Sequence, residues 1–376
     1  MKKIQMVDLK SQYEKIKDTV NVSIQEVLDT NTYINGPQVH QFQKSLEEYL
    51  DVKHVIPCAN GTDALQIAMM GLDLKPGDEV ITADFTFAAT VEVIALLQLT
   101  PVLVDVDLYN MNISIEGIKK AITPKTKAIV PVHLFGRAAN MEAIMAIAKE
   151  YNLYVIEDNA QAIGANCKFS DGTKKKAGTI GHVGATSFFP SKNLGCYGDG
   201  GAIFTNDDAL AHKLRGIVNH GMYERYHHDV VGVNSRVDSI HDAVLNAKLP
   251  LLDEYGRARQ DAARKYSATF EGHKNIVAPS ICDICDCHVF HQYTLRIIDA
   301  DRNGLMQHLL DKGIPCAIYY PIPLHSQKAY ADSRYKEEDF PVTNQLVTEV
   351  LSLPMHTELD DEQIKFITTS VLEYLG

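Results

Sequence analysis

The chain has 376 residues, 45% of them hydrophobic and 22% charged, which is ordinary for a globular protein and predicts a large domain plus a smaller one. No apolar run approaches the roughly 20 residues that span a bilayer, and no apolar segment follows Lys2 and Lys3 as it would in a secretory signal. We therefore expect a cytoplasmic protein without a membrane partner. The formal net charge of −12 disfavours nucleic acid as a partner, since no basic stripe offsets it.

The first 240 residues alternate short strand patterns with helical patterns. The predicted strands are His54–Cys58, Glu79–Ala83, Val102–Val106, Lys127–Val132, Leu153–Glu157, Ala185–Phe189 and Ala202–Thr205. The predicted helices are Thr62–Gly71, Ala88–Leu99, Ser114–Ala121, Met141–Tyr151 and Asp207–Arg215. This alternation predicts an α/β fold with a mainly parallel seven-stranded sheet covered on both faces. In such folds a ligand binds beyond the carboxyl ends of the strands.

The remaining residues predict a connector and a second domain. A helical stretch from His241 to about Gly272, with Pro250 as a kink, would link a large domain of residues 1–240 to a small one of residues 273–376. The small domain is predicted to be α+β. Its predicted strands are Val289–Ile298 and Cys316–Tyr320, and its predicted helices are Arg302–Lys312 and Asp360–Leu375.

The seven cysteines are an odd number and are scattered, as expected of reduced thiols that pack as small hydrophobes. Cys282, Cys285 and Cys287 cluster near His288 and His291, but a second ligand pair at zinc-finger spacing is missing. We therefore predict no metal site.

Four segments that follow predicted strands carry candidate chemistry. The first, from Asn60 to Asp63, is a Gly turn into a helix with Thr62 near the N-cap, so it is either an ordinary helix start or a phosphate site at a helix N-terminus. In the second, YVIEDNAQA, an apolar strand ends in two acids. Asp158 is either an exposed strand end or a carboxylate that keeps a pyridine nitrogen protonated.

The third segment, TSFFPSKNLGCYGDGGA, places Lys192 directly after an apolar strand among small residues. Most lysines are solvated, but a partly buried lysine has a lowered pKa and acts as a nucleophilic amine. Ser187 offers a hydroxyl to a phosphate. The fourth, VHLFGRAANM, contains His133 and Gly136 and is as consistent with a strand–turn–helix junction as with a substrate contact. Together the segments supply what pyridoxal phosphate needs: a phosphate cradle, a carboxylate for the ring nitrogen and an amine for the aldehyde.

With these residues in place, the chain resembles the DegT-type nucleotide-sugar aminotransferases, of fold type I among pyridoxal-phosphate enzymes. The resemblance runs over nearly the whole length. The motifs that carry it are NGTDAL at Asn60–Leu65, TFAAT at Thr86–Thr90, DVD at Asp105–Asp107, EDNAQA at Glu157–Ala162, SFFPSKNLGCYGDGGA at Ser187–Ala202, GVNSRVD at Gly232–Asp238, HQY at His291–Tyr293, YYPIPLH at Tyr319–His325 and LSLPMH at Leu351–His356.

The resemblance implies a role for each matching residue. Lys192 would be the catalytic Schiff-base lysine and Asp158 the partner of the pyridine nitrogen. Gln161 would lie near the ring oxygen and Phe87 would stack on the ring. The residues expected to hold the phosphate are Gly61, Thr62, Ser187 and, reaching across a homodimer into the neighbouring subunit, Asn234. A related branch with histidine at the lysine position dehydrates its substrate, so Lys192 favours transamination.

The segment His220–Arg236 is basic on an otherwise acidic chain and is either a solvated loop or an anion pocket. It resembles the branch that aminates C3 of UDP-linked 2-acetamido-3-keto glucuronic acid. The resemblance implies substrate contacts by Arg225, Arg236, Tyr320 and His325, with an amino acid such as L-glutamate as donor, in bacterial surface polysaccharide or amino-sugar biosynthesis. Two alternatives remain open: a dTDP-linked 3-keto or 4-keto-6-deoxy sugar as substrate, and a non-catalytic regulatory protein that binds pyridoxal phosphate. Other reactions on the same fold, dehydration or aldol cleavage, fit the motif set less well.

Overall fold

The computed structural model describes residues 2–280 and 287–376. The α-helices are α1 Leu9–Thr30, α2 Pro37–Leu50, α3 Gly61–Gly71, α4 Ala89–Leu96, α5 Ile115–Ala121, α6 Met141–Tyr151, α7 Asp208–Ile217, α8 Ser239–Lys248, α9 Leu252–Phe270, α10 Arg302–Asp311, α11 Pro341–Glu349 and α12 Asp361–Leu375. The strands are β1 His54–Cys58, β2 Glu79–Ala83, β3 Thr100–Val104, β4 Thr126–Val130, β5 Tyr154–Asp158, β6 Asn166–Lys168, β7 Lys174–Lys176, β8 Val183–Ser187, β9 Gly201–Thr205, β10 Met222–Glu224, β11 His227–His228, β12 Ile276–Val277, β13 Tyr293–Ile297 and β14 Val350–Leu353.

The central sheet has seven strands in the order β1-β9-β8-β5-β4-β2-β3. β9 runs antiparallel to both of its neighbours, and the other pairings are parallel. The predicted mainly parallel seven-stranded sheet of an α/β fold is therefore confirmed. Because β2, β4, β5 and β8 are parallel, their carboxyl ends lie at the same edge of the sheet. This is the edge at which the ligand of a parallel sheet binds.

Helices cover both faces of this sheet because neighbouring residues of each strand point to opposite sides. Ile81 and Val155 pack into one buried cluster, whereas Val80 and Ile156 pack into the cluster on the other face. The helix α3 begins where the Asn60 side chain accepts a hydrogen bond from the Asp63 amide at 2.8 Å. Asn60 is thus the N-cap and Thr62, expected near that position, lies two residues inside the helix.

The C-terminal residues form a second core around the three-stranded sheet β12-β13-β14. The helices α9, α10 and α12 contribute to this core, and so does Ile4 from the N-terminus. The helical connector breaks at Pro250, where α8 gives way to a 3₁₀ turn before α9. We propose the division into residues 1–240, 241–272 and 273–376 as the domain organisation.

One predicted strand is wrong. Residues Cys316–Tyr320 do not form a strand; Ala317 makes an isolated antiparallel bridge to Ser352, and the chain then turns away from the sheet. This turn carries Tyr320 out of the small sheet and against Phe85 and Phe135 of the large domain. Packing of Tyr320 on Phe85 and Phe135 therefore overrides the β propensity of the segment.

Among residues 2–280 and 287–376, no helix is long and apolar enough to cross a membrane. Cys58, Cys167, Cys196 and Cys316 are free and buried, as expected, whereas Cys287 is disulfide-bonded, so the expectation of reduced thiols is wrong for that residue. Cys282 and Cys285, two members of the cysteine cluster considered for metal binding, lie outside the described residues. Within the described part of the chain no three His, Cys, Asp or Glu side chains group as metal ligands.

Candidate active site

A cavity of about 720 Å³ opens at the carboxyl ends of the central strands. It brings together eight of the predicted site residues: Gly61, Thr62, Phe87, Asp158, Gln161, Ser187, Lys192 and Tyr320. Four others, Arg225, Asn234, Arg236 and His325, do not line it.

Lys192 lies in the turn between β8 and β9 and is half-buried, since its side chain borders the cavity. The Lys192 amide donates to the Phe189 carbonyl at 2.8 Å, which closes the turn. Desolvation lowers the pKa of Lys192 to about 8, against the opposing effect of the negative charge of Asp158. A substantial fraction of the amine is therefore neutral, and able to act as a nucleophile, near physiological pH.

Asp158, the last residue of β5, is buried at the floor of the cavity. Its Oδ2 accepts a hydrogen bond from the Thr90 hydroxyl at 2.8 Å, and its Oδ1 accepts one from the Ala160 amide at 3.1 Å. These bonds fix the carboxylate while leaving lone pairs for a further donor. Asp158 is therefore a strand-end carboxylate held in place, not an exposed one.

Glu157 points to the opposite side of the sheet, as alternation along a strand requires. It is completely buried and accepts hydrogen bonds from the amides of Gly178, Ile180 and Gly181. The Nε2 atom of His133 lies 2.9 Å from the Glu157 carboxylate, and Nδ1 of His133 accepts from the Ala139 amide at 3.0 Å. The ring of His133 thus has a partner at both nitrogens outside the cavity, which supports the junction interpretation of VHLFGRAANM.

The opposite end of the cavity is suited to an anion. Gly61 and Thr62 begin α3, and the first-turn amides of a helix have no acceptor within the helix. A Cβ added to Gly61 would lie 2.6 Å from the Cβ of Ser187, so glycine is required for Ser187 to approach this helix end. The Ser187 side chain and the first-turn amides of α3 therefore lie close together.

Aromatic and amide side chains form the wall between these two ends. The Gln161 side chain accepts from the Phe135 amide at 2.6 Å and donates to the Tyr320 hydroxyl at 3.0 Å. Phe87 is 57% exposed, and its ring centre lies 6.2 Å from that of Tyr320. An exposed aromatic ring at the mouth of a cavity is available to stack on a planar ligand.

Sequence reasoning missed Thr86 and His291, which line the cavity, and Thr90, which binds the Asp158 carboxylate. They lie in motifs, TFAAT and HQY, whose members other than Phe87 had no assigned role. His291 is buried, its Nδ1 has no hydrogen-bond partner in the described part of the chain, and its pKa is lowered by burial and by the charges of Lys192 and Arg259. His291 is thus a neutral ring beside Lys192.

The basic segment lies apart from the cavity of its own subunit. Arg225 is exposed and its guanidinium stacks on the Tyr226 ring at 5.0 Å. Arg236 donates to the Asn219 side chain at 3.2 Å, and Asn234 is exposed. These three positions are near the surface.

His325 is buried in a different place. Its Nδ1 lies 2.7 Å from Oδ2 of Asp84, its amide donates to Oδ1 at 2.7 Å, and its ring stacks on Phe340 with centres 4.4 Å apart. Asp84 follows β2, so this pair joins the C-terminal region to the large sheet. The substrate role expected of His325 stays a prediction.

A family model for the DegT/DnrJ/EryC1/StrS aminotransferases matches residues 14–372. The chain belongs to this family. It is 46% identical to the UDP-2-acetamido-2-deoxy-3-oxo-D-glucuronate aminotransferase of Pseudomonas aeruginosa, over 98% of this chain and 99% of that protein. It is 43% identical to the UDP-N-acetyl-3-dehydro-alpha-D-glucosamine 3-aminotransferase of Acidithiobacillus ferrooxidans, over 98% and 97%. It is also 43% identical to a pleiotropic regulatory protein of Geobacillus stearothermophilus, over 99% and 98%.

Solved structures of the DegT/DnrJ/EryC1/StrS family share the fold. A family aminotransferase from Brucella abortus has a TM-score of 0.93 at 41% identity and covers 99% of this chain and 100% of its own. DesV of S. venezuelae, solved with a ketimine intermediate, has a TM-score of 0.94 at 35% identity and covers 100% and 99%. The chain is therefore a pyridoxal-phosphate-dependent aminotransferase. Its cavity fits the cofactor, because an anion site, a fixed carboxylate and an amine of lowered pKa surround one space.

Proposed function

We propose that this aminotransferase transfers the amino group of L-glutamate to C3 of a UDP-linked 3-keto sugar, a 2-acetamido uronic acid, in amino-sugar biosynthesis for bacterial surface polysaccharide. The proposal is supported by two relatives, 46% and 43% identical, whose names specify UDP-linked 3-oxo sugars. A relative named for a dTDP-linked 3-amino sugar is less similar, at 35%. In the balanced reaction the amino acid becomes a 2-keto acid, and the keto sugar becomes an amino sugar.

We infer the binding roles from the positions of the cavity residues. Gly61, Thr62 and Ser187 would hold the phosphate, and Asp158 would accept a hydrogen bond from the protonated ring nitrogen. Phe87 would cover one face of the ring while Gln161 lies near the ring oxygen. When bound, pyridoxal phosphate supplies an electron-withdrawing ring that carries the amino group from donor to acceptor.

Lys192 would perform two tasks. Its neutral amine would hold the cofactor aldehyde in the absence of substrate, which the lowered pKa favours. Once released, the same amine would move the proton to and from the sugar carbon that receives nitrogen. The cavity walls around Gln161 and Tyr320 would exclude water from that carbon, since both side chains are bound to each other and packed on Phe135.

We propose that the working unit is a homodimer with shared active sites. Arg225, Asn234 and Arg236 lie away from the cavity of their own subunit, and Asn234 and Arg225 are exposed. Their position supports a model in which this segment completes the phosphate and substrate sites of a second copy. We further propose that the enzyme works in the cytoplasm, because four of the five described cysteines are buried free thiols, although Cys287 is disulfide-bonded.

A second candidate function is regulatory, because a relative 43% identical over nearly the whole chain is named a pleiotropic regulatory protein. The deciding experiment incubates the purified protein with L-glutamate and follows conversion of the cofactor to its amino form, then adds a panel of UDP- and dTDP-linked 3-keto and 4-keto sugars. We expect amination of the acidic UDP-linked 3-keto sugar. Preference for a dTDP-linked 4-keto-6-deoxy sugar would overturn the substrate, and no conversion with any donor would favour the regulatory candidate.

A further inference from the structure

Lys248, at the end of α8, is a buried cation outside the cavity. Only 1% of its surface is exposed. Its ammonium group donates to the Gly195 carbonyl at 2.7 Å and lies 4.5 Å from the centre of the Tyr197 ring. Both partners belong to the turn that carries Lys192. A buried ammonium group loses its hydration, which costs free energy. The hydrogen bond to Gly195 and the contact with the Tyr197 ring offset part of this cost.

The turn that carries Lys192 folds tightly upon itself. The Cys196 amide donates to the Phe188 carbonyl at 2.8 Å, and the Lys192 amide donates to the Phe189 carbonyl at 2.8 Å. A Cβ added to Gly195 would lie 2.4 Å from the Pro190 carbonyl oxygen, so the two ends of the turn are in close contact. The Gly195 carbonyl points outward from this turn to Lys248, which ties it to α8.

We propose that Lys248 is a positioning residue that holds the turn of residues 189–197 against α8 and thereby keeps the amine of Lys192 at its place in the cavity. The inference rests on the proposed role of Lys192. It extends that role to a residue that touches neither cofactor nor substrate. The connection is short, because only two residues lie between Lys192 and Gly195, whose carbonyl Lys248 binds, and hydrogen bonds within the turn link its two ends.

The environment of Lys192 offers a readout that general destabilisation does not change. Its pKa is lowered to about 8 because the amine is partly desolvated at its place beside the cavity. If the turn loosens, the amine reaches water and its pKa rises toward the ordinary value of a lysine. A variant that only weakens the fold elsewhere leaves the folded molecules with the same local environment.

The experiment uses the apo-protein. Lysines are labelled with formaldehyde and cyanoborohydride over a series of pH values, and peptide mass spectrometry gives the titration curve of Lys192, with the exposed Lys15 as internal reference. We compare the wild type with Lys248→Met, with the rescue variant Lys248→Arg, and with Leu309→Ala, which removes a completely buried side chain from the C-terminal core. Urea unfolding measures the free energy of unfolding of each variant, so that variants of similar stability are compared.

We expect Lys248→Met to raise the pKa of Lys192 by about one unit or more, Lys248→Arg to restore much of the difference, and Leu309→Ala to leave it unchanged. An unchanged Lys192 curve in folded Lys248→Met overturns the proposal. If Lys248→Met does not fold, Tyr197→Leu decides. It removes the ring contact of Lys248, together with the edge contact between Tyr197 and Tyr13. A rise in the pKa of Lys192 supports the proposal and an unchanged curve overturns it. Labelling needs no cofactor, so failure here is distinguishable from failure of the proposed function, which the substrate panel tests.

Discussion

The hydroxyl of Thr90, in the first turn of α4, donates to Oδ2 of Asp158 at 2.8 Å, and both residues are buried. The bond joins the helix that follows β2 to the end of β5, two strands away in the sheet. It fixes the rotation of the carboxylate at the floor of the cavity. A cofactor nitrogen that approaches Asp158 therefore meets an acceptor already in place.

Replacing Thr90 by valine keeps the volume and removes this hydrogen bond. We expect the dissociation constant of pyridoxal phosphate to rise about tenfold, since a hydrogen bond to a charged group contributes about 1.5 kcal/mol or more. The control is Thr82→Val, which removes a hydroxyl bonded to the Val130 carbonyl at 2.9 Å inside the sheet. Equilibrium dialysis measures binding, and equal loss in the two variants would show that Thr90 acts only through stability.

Substitutions of the neighbouring residues Asp158 and Glu157 are expected to differ: the first should lower turnover and the second should lower stability. Asp158→Asn leaves the ring nitrogen without an anionic partner, so we expect turnover to fall sharply while unfolding in urea changes little. The Glu157 side chain faces away from the cavity and accepts hydrogen bonds from three backbone amides. Glu157→Gln weakens this acceptor, so we expect the free energy of unfolding to fall by about 2–5 kcal/mol. Near-normal turnover of Asp158→Asn would contradict the role of Asp158.

The extent to which sequence predicts this site differs from residue to residue. Asp158 and Lys192 each follow an apolar strand directly, so the local pattern placed both at the carboxyl edge of the sheet. Thr90 reaches Asp158, and His291 reaches the cavity, through packing between segments distant in the chain, which no local pattern encodes. The helix α1 has a polar sequence in which only Val20 and Val27 are buried, and it was not predicted.

Lys192 carries an electrostatic cost that its removal should release. The amine stays protonated up to about pH 8 in the folded chain and up to about pH 10.5 when unfolded, so wild-type stability rises with pH between these values. We expect apo Lys192→Met to be more stable than the wild type at pH 7, by up to about 3 kcal/mol, because the pKa falls from 10.5 to about 8 on folding. The gain should disappear above about pH 10.5. Urea unfolding of both proteins at pH 7 and pH 10.5 measures this gain in stability. A gain that does not change with pH would show that packing, not charge, causes it.

A shared site predicts complementation between two defective subunits. Lys192→Ala and Asn234→Ala proteins, refolded together, should form mixed dimers in which one site combines an intact Lys192 with Asn234 of the partner subunit. We expect each variant alone to be inactive or weak, and a random mixture to recover about a quarter of the wild-type sites. Light scattering confirms the dimers. Full activity in a monomer, or no recovery in verified mixed dimers, would exclude the shared site.

The two arginines of the basic segment differ in their surroundings, and this separates their predicted effects. Arg236 is half-buried and already bonded to Asn219, so its guanidinium is preorganised, whereas Arg225 is exposed and rests on Tyr226. A charge-assisted contact with a uronic acid contributes about 1.5–3 kcal/mol, so its loss should lower kcat/KM roughly ten- to hundredfold. We expect Arg236→Ala to show this loss on the acidic sugar and much less on a neutral analogue, and Arg225→Ala to show a smaller difference. If each variant loses equal activity on both analogues, neither arginine recognises the carboxylate.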